Sequence, residues 1–203
     1  PKRIEVKNFR LLHDVDLLLE KQTTVIVGRN NSGKTSLTEV MKRLLSENNP
    51  TFRLEDFSFG SHANFWDAFV AAISAASEPD VRKLLPSIEI RLTFSYEIGE
   101  QLGLLGDFIV DVDPNCTEVL VIVRYALKNG KLAALFEGLT DQGETARADF
   151  FRALRERIPT LFGSSLSAVD PNDSTNEKTV EGAALRALCA SGFISAQRGL
   201  DDA

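Results

Sequence analysis

Cysteine is scarce in this chain and carries no ligand spacing. Among 203 residues there are two, Cys116 and Cys189. They read as free thiols of a reducing, cytoplasmic compartment rather than as a disulfide or a metal site. No run of 18 apolar residues occurs, which excludes a transmembrane helix and gives no reason to expect a membrane partner. The opening Pro1-Lys2-Arg3-Ile4-Glu5 lacks the apolar core of a signal peptide. An excess of basic charge is missing too. Lys and Arg number 23 against 29 Asp and Glu, for a net charge of −6 and a pI of about 5.1. A dedicated nucleic-acid-binding domain is usually basic, so strong autonomous DNA binding is disfavoured. Arg152, Arg155 and Arg157 form the candidate local patch, with a solvated helix face as the simpler reading. A hydrophobic content of 43% suits a globular chain with a real core.

One motif names a ligand. Residues 28–35 read Gly-Arg-Asn-Asn-Ser-Gly-Lys-Thr, a complete phosphate-binding loop. Thr23-Thr24-Val25-Ile26-Val27 precedes it and reads as a buried strand. A helical pattern follows, and strand–loop–helix is the context that supports the motif. Gly28 and Gly33 permit backbone conformations closed to other residues, so the N–H groups can turn inward around phosphates. The helix beginning near Gly33 adds its positive end. Lys34 reaches the β- and γ-phosphates as a point charge. The Thr35 hydroxyl ligates Mg²⁺. The expected ligands are ATP and Mg²⁺.

Residues 2–9 and 14–19 read as strands ahead of the loop strand, which suggests a mixed sheet. Leu37, Val40, Met41, Leu44 and Leu45 form one helical stripe that ends near Asn48-Asn49-Pro50. A helix is expected around 64–77, with Phe65, Trp66, Phe69, Val70 and Ile73 inward. Residues 88–98 alternate as a half-exposed strand, and 118–127 form another. Asn129-Gly130 reads as a hairpin turn whose return strand runs from Lys131 to Phe136. The middle of the chain is thus expected to be an antiparallel lobe. A helix is expected at 145–158, closed by Pro159. Ser164 to Asn176 reads as a loop. Ser174-Thr175-Asn176-Glu177 reads as a capping box opening a helix to about Ala190, and 193–196 as a final short strand.

Hydrolysis also needs an apolar strand ending in an acid that holds Mg²⁺. Phe108-Ile109-Val110-Asp111 is the nearest match and reads as a loop, since Asp113-Pro114 marks a turn. The sequence leaves open whether Asp56, Asp111 or Asp113 takes that role. The Asn-Lys-x-Asp motif of GTPases is absent, and Thr140-Asp141-Gln142-Gly143 has the wrong spacing for a switch loop. A small-molecule kinase would need an arginine-bearing lid, for which Arg152, Arg155 and Arg157 are the only grouping.

The opening Ile4-Glu5-Val6-Lys7-Asn8-Phe9-Arg10, the alternating strand after it and the Gly28–Thr35 loop together resemble ABC-type ATPases of chromosome and DNA-repair work, the group of RecF and SMC proteins. The overcoming-lysogenization-defect (OLD) nucleases are the nearest match. Phe193-Ile194-Ser195-Ala196-Gln197-Arg198-Gly199 resembles the strand and glutamine loop that close the first half of such heads. The resemblance implies a P-loop NTPase fold of α/β class, an ABC-ATPase-like head with a mixed sheet and an inserted antiparallel β lobe. It implies that Asn30, Asn31, Ser32, Gly33, Lys34, Thr35 and Ser36 hold the phosphates, with Arg10 near the nucleotide or the dimer interface. It implies that Gln197 touches Mg²⁺ and the attacking water, with Lys34 and Gln197 serving catalysis. The Ser-Gly-Gly signature, the acid strand and the switch histidine are missing from residues 1–203, so the chain reads as the N-terminal part of a head. Its segments are 2–48 (strands, loop and helix), 85–137 (antiparallel lobe), 145–192 (helical) and 193–203 (glutamine-loop end). The resemblance further implies a homodimer or a second half-head, DNA as the substrate of the complete protein, and an ATPase that is weak in this piece alone. A stand-alone phosphotransferase and a nucleotide-regulated binding module without catalysis are the alternatives.

Overall fold

The sheet is built from strands whose alternation is plain in the sequence. In β1 (Arg3–Phe9) Ile4, Val6 and Phe9 are buried, and the residues between them face outward, as a strand with one buried face requires. A two-residue turn, Arg10-Leu11, returns the chain into β2 (Leu12–Leu18). A computed structural model describes residues 1–46, 50–97, 99, 101–110, 113 and 116–189. Beyond β1 the sheet adds β3 (Ile88–Ser95), β4 (Glu118–Leu127), β5 (Phe162–Val169) and β6 (Glu177–Thr179) in the order β2-β1-β3-β4-β5-β6.

Every pairing among the described strands is antiparallel. The α/β class stands. The first two strands and the middle pair share one sheet, and no parallel strand of the expected mixed sheet is among the described residues. Six helices accompany it: α1 (Lys34–Ser46), α2 (His62–Ile73), α3 (Glu78–Leu84), α4 (Leu132–Phe136), α5 (Ala146–Leu161) and α6 (Gly182–Leu188). All of these except α3 contribute to one core with the inward sheet residues. On the opposite sheet face Glu89 is held between Arg124 at 2.8 Å and Arg91 at 3.2 Å.

The core is dominated by aromatic rings. Phe52 and Tyr125 lie 4.8 Å apart, Phe57 and Phe65 5.1 Å, and Phe69 stacks on Phe150 at 5.0 Å. Each such pair adds to the burial of its area. The buried Tyr125 hydroxyl has the carbonyls of Phe52 and Ile158 at 3.4 and 3.3 Å, so its polar atom is not orphaned. Burial pushes this phenol's pKa up.

Several expectations are corrected. Gly130 does turn the chain, at φ +70°, but Leu132–Phe136 is a helix rather than a return strand. Its Leu-Ala-Ala-Leu sequence favours helix, and the edge of β4 is filled by β5 instead. The Ser164–Asn176 loop is in fact β5 as far as Val169. Phe162, Leu166 and Ala168 face the core opposite Leu127, Val123 and Val121, so pairing outweighs the weak strand preference of serine. The capping box is displaced: Asp173 accepts from the Thr175 N–H and hydroxyl, residues 177–179 form β6, and the helix spans only Gly182–Leu188. The helix expected around 64–77 is α2 and ends at Ile73; a further helix, α3, follows it, with Ser77 as its cap accepting from the Asp80 N–H and Pro79 in its first turn. Val70 and Ile73 are partly exposed rather than core. Helix α5 runs on past Pro159 to Leu161.

Phe150 is fully buried between Phe69, Trp66 and Phe151. Truncating it to Ala is expected to lower the unfolding free energy by about 3–5 kcal/mol. Urea denaturation measures this, and a loss below about 1 kcal/mol would mean that the ring cluster is not a tightly packed core.

Candidate functional site

The phosphate loop lies between β2 and α1. The first helical hydrogen bond runs from the Leu37 N–H to the Gly33 carbonyl at 2.9 Å. Gly33 has φ +90°, and a Cβ there would stand 2.8 Å from Leu12 Cδ2. Both facts exclude a side chain, so β2 packs directly beneath the loop. A Cβ on Gly28 would meet Ser32 Oγ at 2.7 Å. Asn31 adopts φ +63°, a conformation Asn tolerates better than most residues.

The residues singled out in the sequence come together. Asn30, Asn31, Ser32, Gly33, Lys34, Thr35 and Ser36, with Leu11, line a hollow of about 310 Å³. Lys34 folds back across it, and its ammonium donates to the carbonyls of Gly28 (2.6 Å) and Arg29 (2.7 Å) and to Ser32 Oγ (3.1 Å). The absent Cβ at Gly28 keeps that path open, with Lys34 Nζ only 3.6 Å from where it would be. The hollow, the two bare glycines and the ammonium at the mouth of α1 fit a polyphosphate. Thr35 is exposed beside it, available to a Mg²⁺ ion. Among the described residues no three His, Cys, Asp or Glu side chains group as a metal site.

The strand expected at 23–27 is not formed. Val25, Ile26 and Val27 are 76%, 44% and 85% exposed, and among the described residues no strand pairs with them. A strand needs neighbours to satisfy its N–H and C=O groups. An unbroken apolar run is the pattern of a strand covered on both faces. Gln197, Arg198, the 193–196 strand and Asp111 lie outside the described residues.

Arg10 occupies a place that the sequence left open. Its guanidinium grips Asp56 Oδ1 through Nε (2.9 Å) and Nη2 (2.7 Å). Asp56 Oδ2 accepts from Arg43 Nη1 of α1 (3.0 Å) and from the Arg53 N–H (3.1 Å). The backbones join as well, Arg10 N–H to the Asp56 carbonyl (2.9 Å) and Ser58 N–H to the Asn8 carbonyl (3.0 Å). Asp56, only 6% exposed, thus clasps the β1–β2 turn and the phosphate-loop helix together. Arg10 sits at φ +49°, a strained conformation worth about 1–3 kcal/mol that the clasp over-determines. With four donors engaged, Asp56 does not serve as the missing Mg²⁺-holding acid. Sequence reading missed this hub because its three parts are far apart in the chain. The cluster of three arginines is also dispersed: Arg152 pairs with Asp149, Arg155 with Glu55, and Arg157 donates to the carbonyls of Leu135 and Glu137.

Burial alone would raise the Asp56 pKa, but the Arg53 N–H and the Arg10 and Arg43 guanidiniums outweigh it and hold the carboxyl below its ordinary range. Its stabilisation is therefore present above the unfolded value of about 3.9 and is lost as the pH falls through the lowered folded value. Asp56→Asn is expected to cost about 2–4 kcal/mol at neutral pH. The gap to the unaltered protein should close on acidification below about pH 4. Unfolding curves from pH 2 to 7 test this, and a pH-independent gap would show that the charge is not what matters.

Comparison with known proteins gives two findings. The family model described as "AAA ATPase domain" matches residues 2–180. A protein named OLD nuclease from Thermus scotoductus is 32% identical over 173 residues, or 81% of this chain and 29% of that protein. The chain thus spans less than a third of the length of this relative.

Proposed function

Because the chain belongs to the AAA ATPase domain family, we propose that it is the nucleotide-binding portion of an OLD-type ATPase, with ATP and Mg²⁺ at the 28–36 loop. The observation that carries the reading is the hollow at the mouth of α1, with Lys34 across it and bare backbone at Gly28 and Gly33. On ATP binding the Lys34 ammonium exchanges the Gly28 and Arg29 carbonyls for β- and γ-phosphate oxygens. The loop N–H groups and the α1 N-terminus take the remaining negative charge. The Thr35 hydroxyl would hold Mg²⁺, which when bound would supply charge neutralisation at the phosphates. Arg10 stands at the rim on the Asp56 clasp, where it meets the nucleotide or an opposing head.

The complete protein pairs two heads, by homodimerisation or through a second half-head. Gln197 would serve at the Mg²⁺ and the attacking water, and the work done would be DNA processing, repair or phage defence in the cytoplasm. The likeness to an OLD nuclease supports this assignment. The bare Val25–Val27 run supports a head that is completed by further strands, in keeping with the 29% coverage of that relative.

Lys34→Ala in the full-length protein is expected to weaken ATP binding by about 10- to 150-fold, the value of a charged hydrogen-bonding group at about 1.5–3 kcal/mol. Titration calorimetry with ATP and Mg²⁺ reads this directly, and unchanged affinity would remove the loop from the site. The amides of Val25, Ile26 and Val27 should exchange slowly in the full-length protein and rapidly in residues 1–203 alone. Equal exchange in both would mean that nothing covers the run.

A further inference from the structure

An open groove of about 420 Å³ lies between the start of α2 and one face of α5, away from the residues lining the phosphate hollow. Phe59 stands at its edge, 89% exposed, yet its backbone is fixed. The Ser58 N–H donates to the Asn8 carbonyl (3.0 Å) and the Ser61 N–H to the Ser58 carbonyl (2.9 Å). The Ser61 hydroxyl donates to the same Ser58 carbonyl at 2.7 Å. What distinguishes this ring from a singly exposed apolar residue is the company it keeps along the groove. The Phe59 ring lies 5.9 Å from the His62 ring, which lies 6.2 Å from Phe151. His62 is oriented by its Nε2, which donates to the Leu54 carbonyl at 3.1 Å. Together they form a shelf of rings.

Charge flanks the shelf. Arg147, Phe151 and Arg155 are spaced i, i+4, i+8 on α5 and share one face, so the two guanidiniums bracket the ring over about 12 Å of helix. Arg147 leans over Trp66, 5.7 Å from its centroid, and Arg155 is paired with Glu55 at 2.7 Å. The groove thus has two guanidiniums against one carboxylate. Both Arg155 and Glu55 are more than half exposed, so their pair is weak and exchangeable.

We propose that this groove binds single-stranded nucleic acid, with a base stacked on Phe59 and phosphates taken by Arg147 and Arg155. Aromatic shelves interleaved with arginines suit this ligand, because every base has a π-face and every nucleotide a phosphate. Glu55 is the intramolecular stand-in that a phosphate displaces from Arg155. The proposal deepens the OLD-type reading and rests on it for choosing a nucleic acid over an acidic protein segment. The local charge also reconciles strand binding with a net charge of −6, since binding requires only a basic rim.

The test is fluorescence anisotropy of a labelled 12-nucleotide oligo-dT with the full-length protein at several salt concentrations. Phe59→Ala is expected to weaken binding about 10-fold or more, and its exposure leaves folding intact. Arg147→Ala should lower the slope of log K against log salt by about 0.7. Glu55→Gln should tighten binding, where a merely structural ion pair would leave it unchanged or weaker. ATP affinity should hold in all three, and the Phe59 contrast should persist in Lys34→Ala, so failure of the groove and failure of the loop are told apart. Strand binding that is absent, or equal in all variants, overturns the proposal. Variants that dissociate an oligomer in sedimentation while binding the strand normally overturn it as well, and assign the groove to a protein contact.

Discussion

The position of the phosphate loop depends on one buried carboxylate. Asp56 accepts from Arg10, Arg43 and the Arg53 N–H, and so binds the β1–β2 turn, helix α1 and the 53–58 stretch to one point. A carboxylate this buried is tolerable only when its lone pairs are taken. The reverse also holds: each of the three segments is held in place by a group that cannot be left alone. Among the described residues the loop's own leading segment forms no ladder with the sheet, so no backbone pairing fixes the loop there. Side-chain charge and the packing of Leu12 beneath Gly33 do that work instead.

The two faces of the sheet divide the labour. The inward face, with Ile4, Val6, Ile88, Ile90, Val121 and Tyr125 fully or nearly buried, meets the helices. The outward face mixes the charges of Glu5, Glu89, Arg91 and Arg124 with the buried Ile122 and Val169. Glu89 shows how it is held: burial pushes its carboxyl up, and Arg124, Arg91 and Ser87 pull it below the ordinary range. The aromatic groove by α5 and the bare Val25–Val27 run lie away from these ion pairs.

Local pattern made much of this legible. The alternation in 88–98 gave β3, though it spans Ile88–Ser95 and buries Glu89 and Thr93 of its polar side where a half-exposed strand was expected; the stripe from Leu37 to Leu45 gave α1, and the Gly28–Thr35 motif gave the loop with its residues gathered around one hollow. The misreadings share a cause, which is that the deciding partner is distant in sequence. Serines in β5 look like a loop until Val123 and Val121 stand opposite Leu166 and Ala168. Val25–Val27 look like a strand, and by their own composition are one, but a strand is a property of its neighbours. Asp56 looked like a spare acid because neither Arg10 nor Arg43 is near it in the chain. Phe57 and Phe59, two positions apart, end in the core and in solvent respectively, a difference fixed by the turn between them and not by residue type.

The strand order has a consequence for how the chain assembles. The contacts β1–β2, β3–β4, β4–β5 and β5–β6 join strands adjacent in the chain, whereas β1–β3 closes over everything from Leu12 to Ser87. Closing so long a loop costs entropy before it is rewarded. The phosphate loop, α1 and the Asp56 clasp all lie inside that span. The cradle's own contacts, Leu12 beneath Gly33 and Arg10 and Arg43 on Asp56, join residues that precede β3 in the chain, so the long excursion that the β1–β3 pairing must close is itself tied down by side chains.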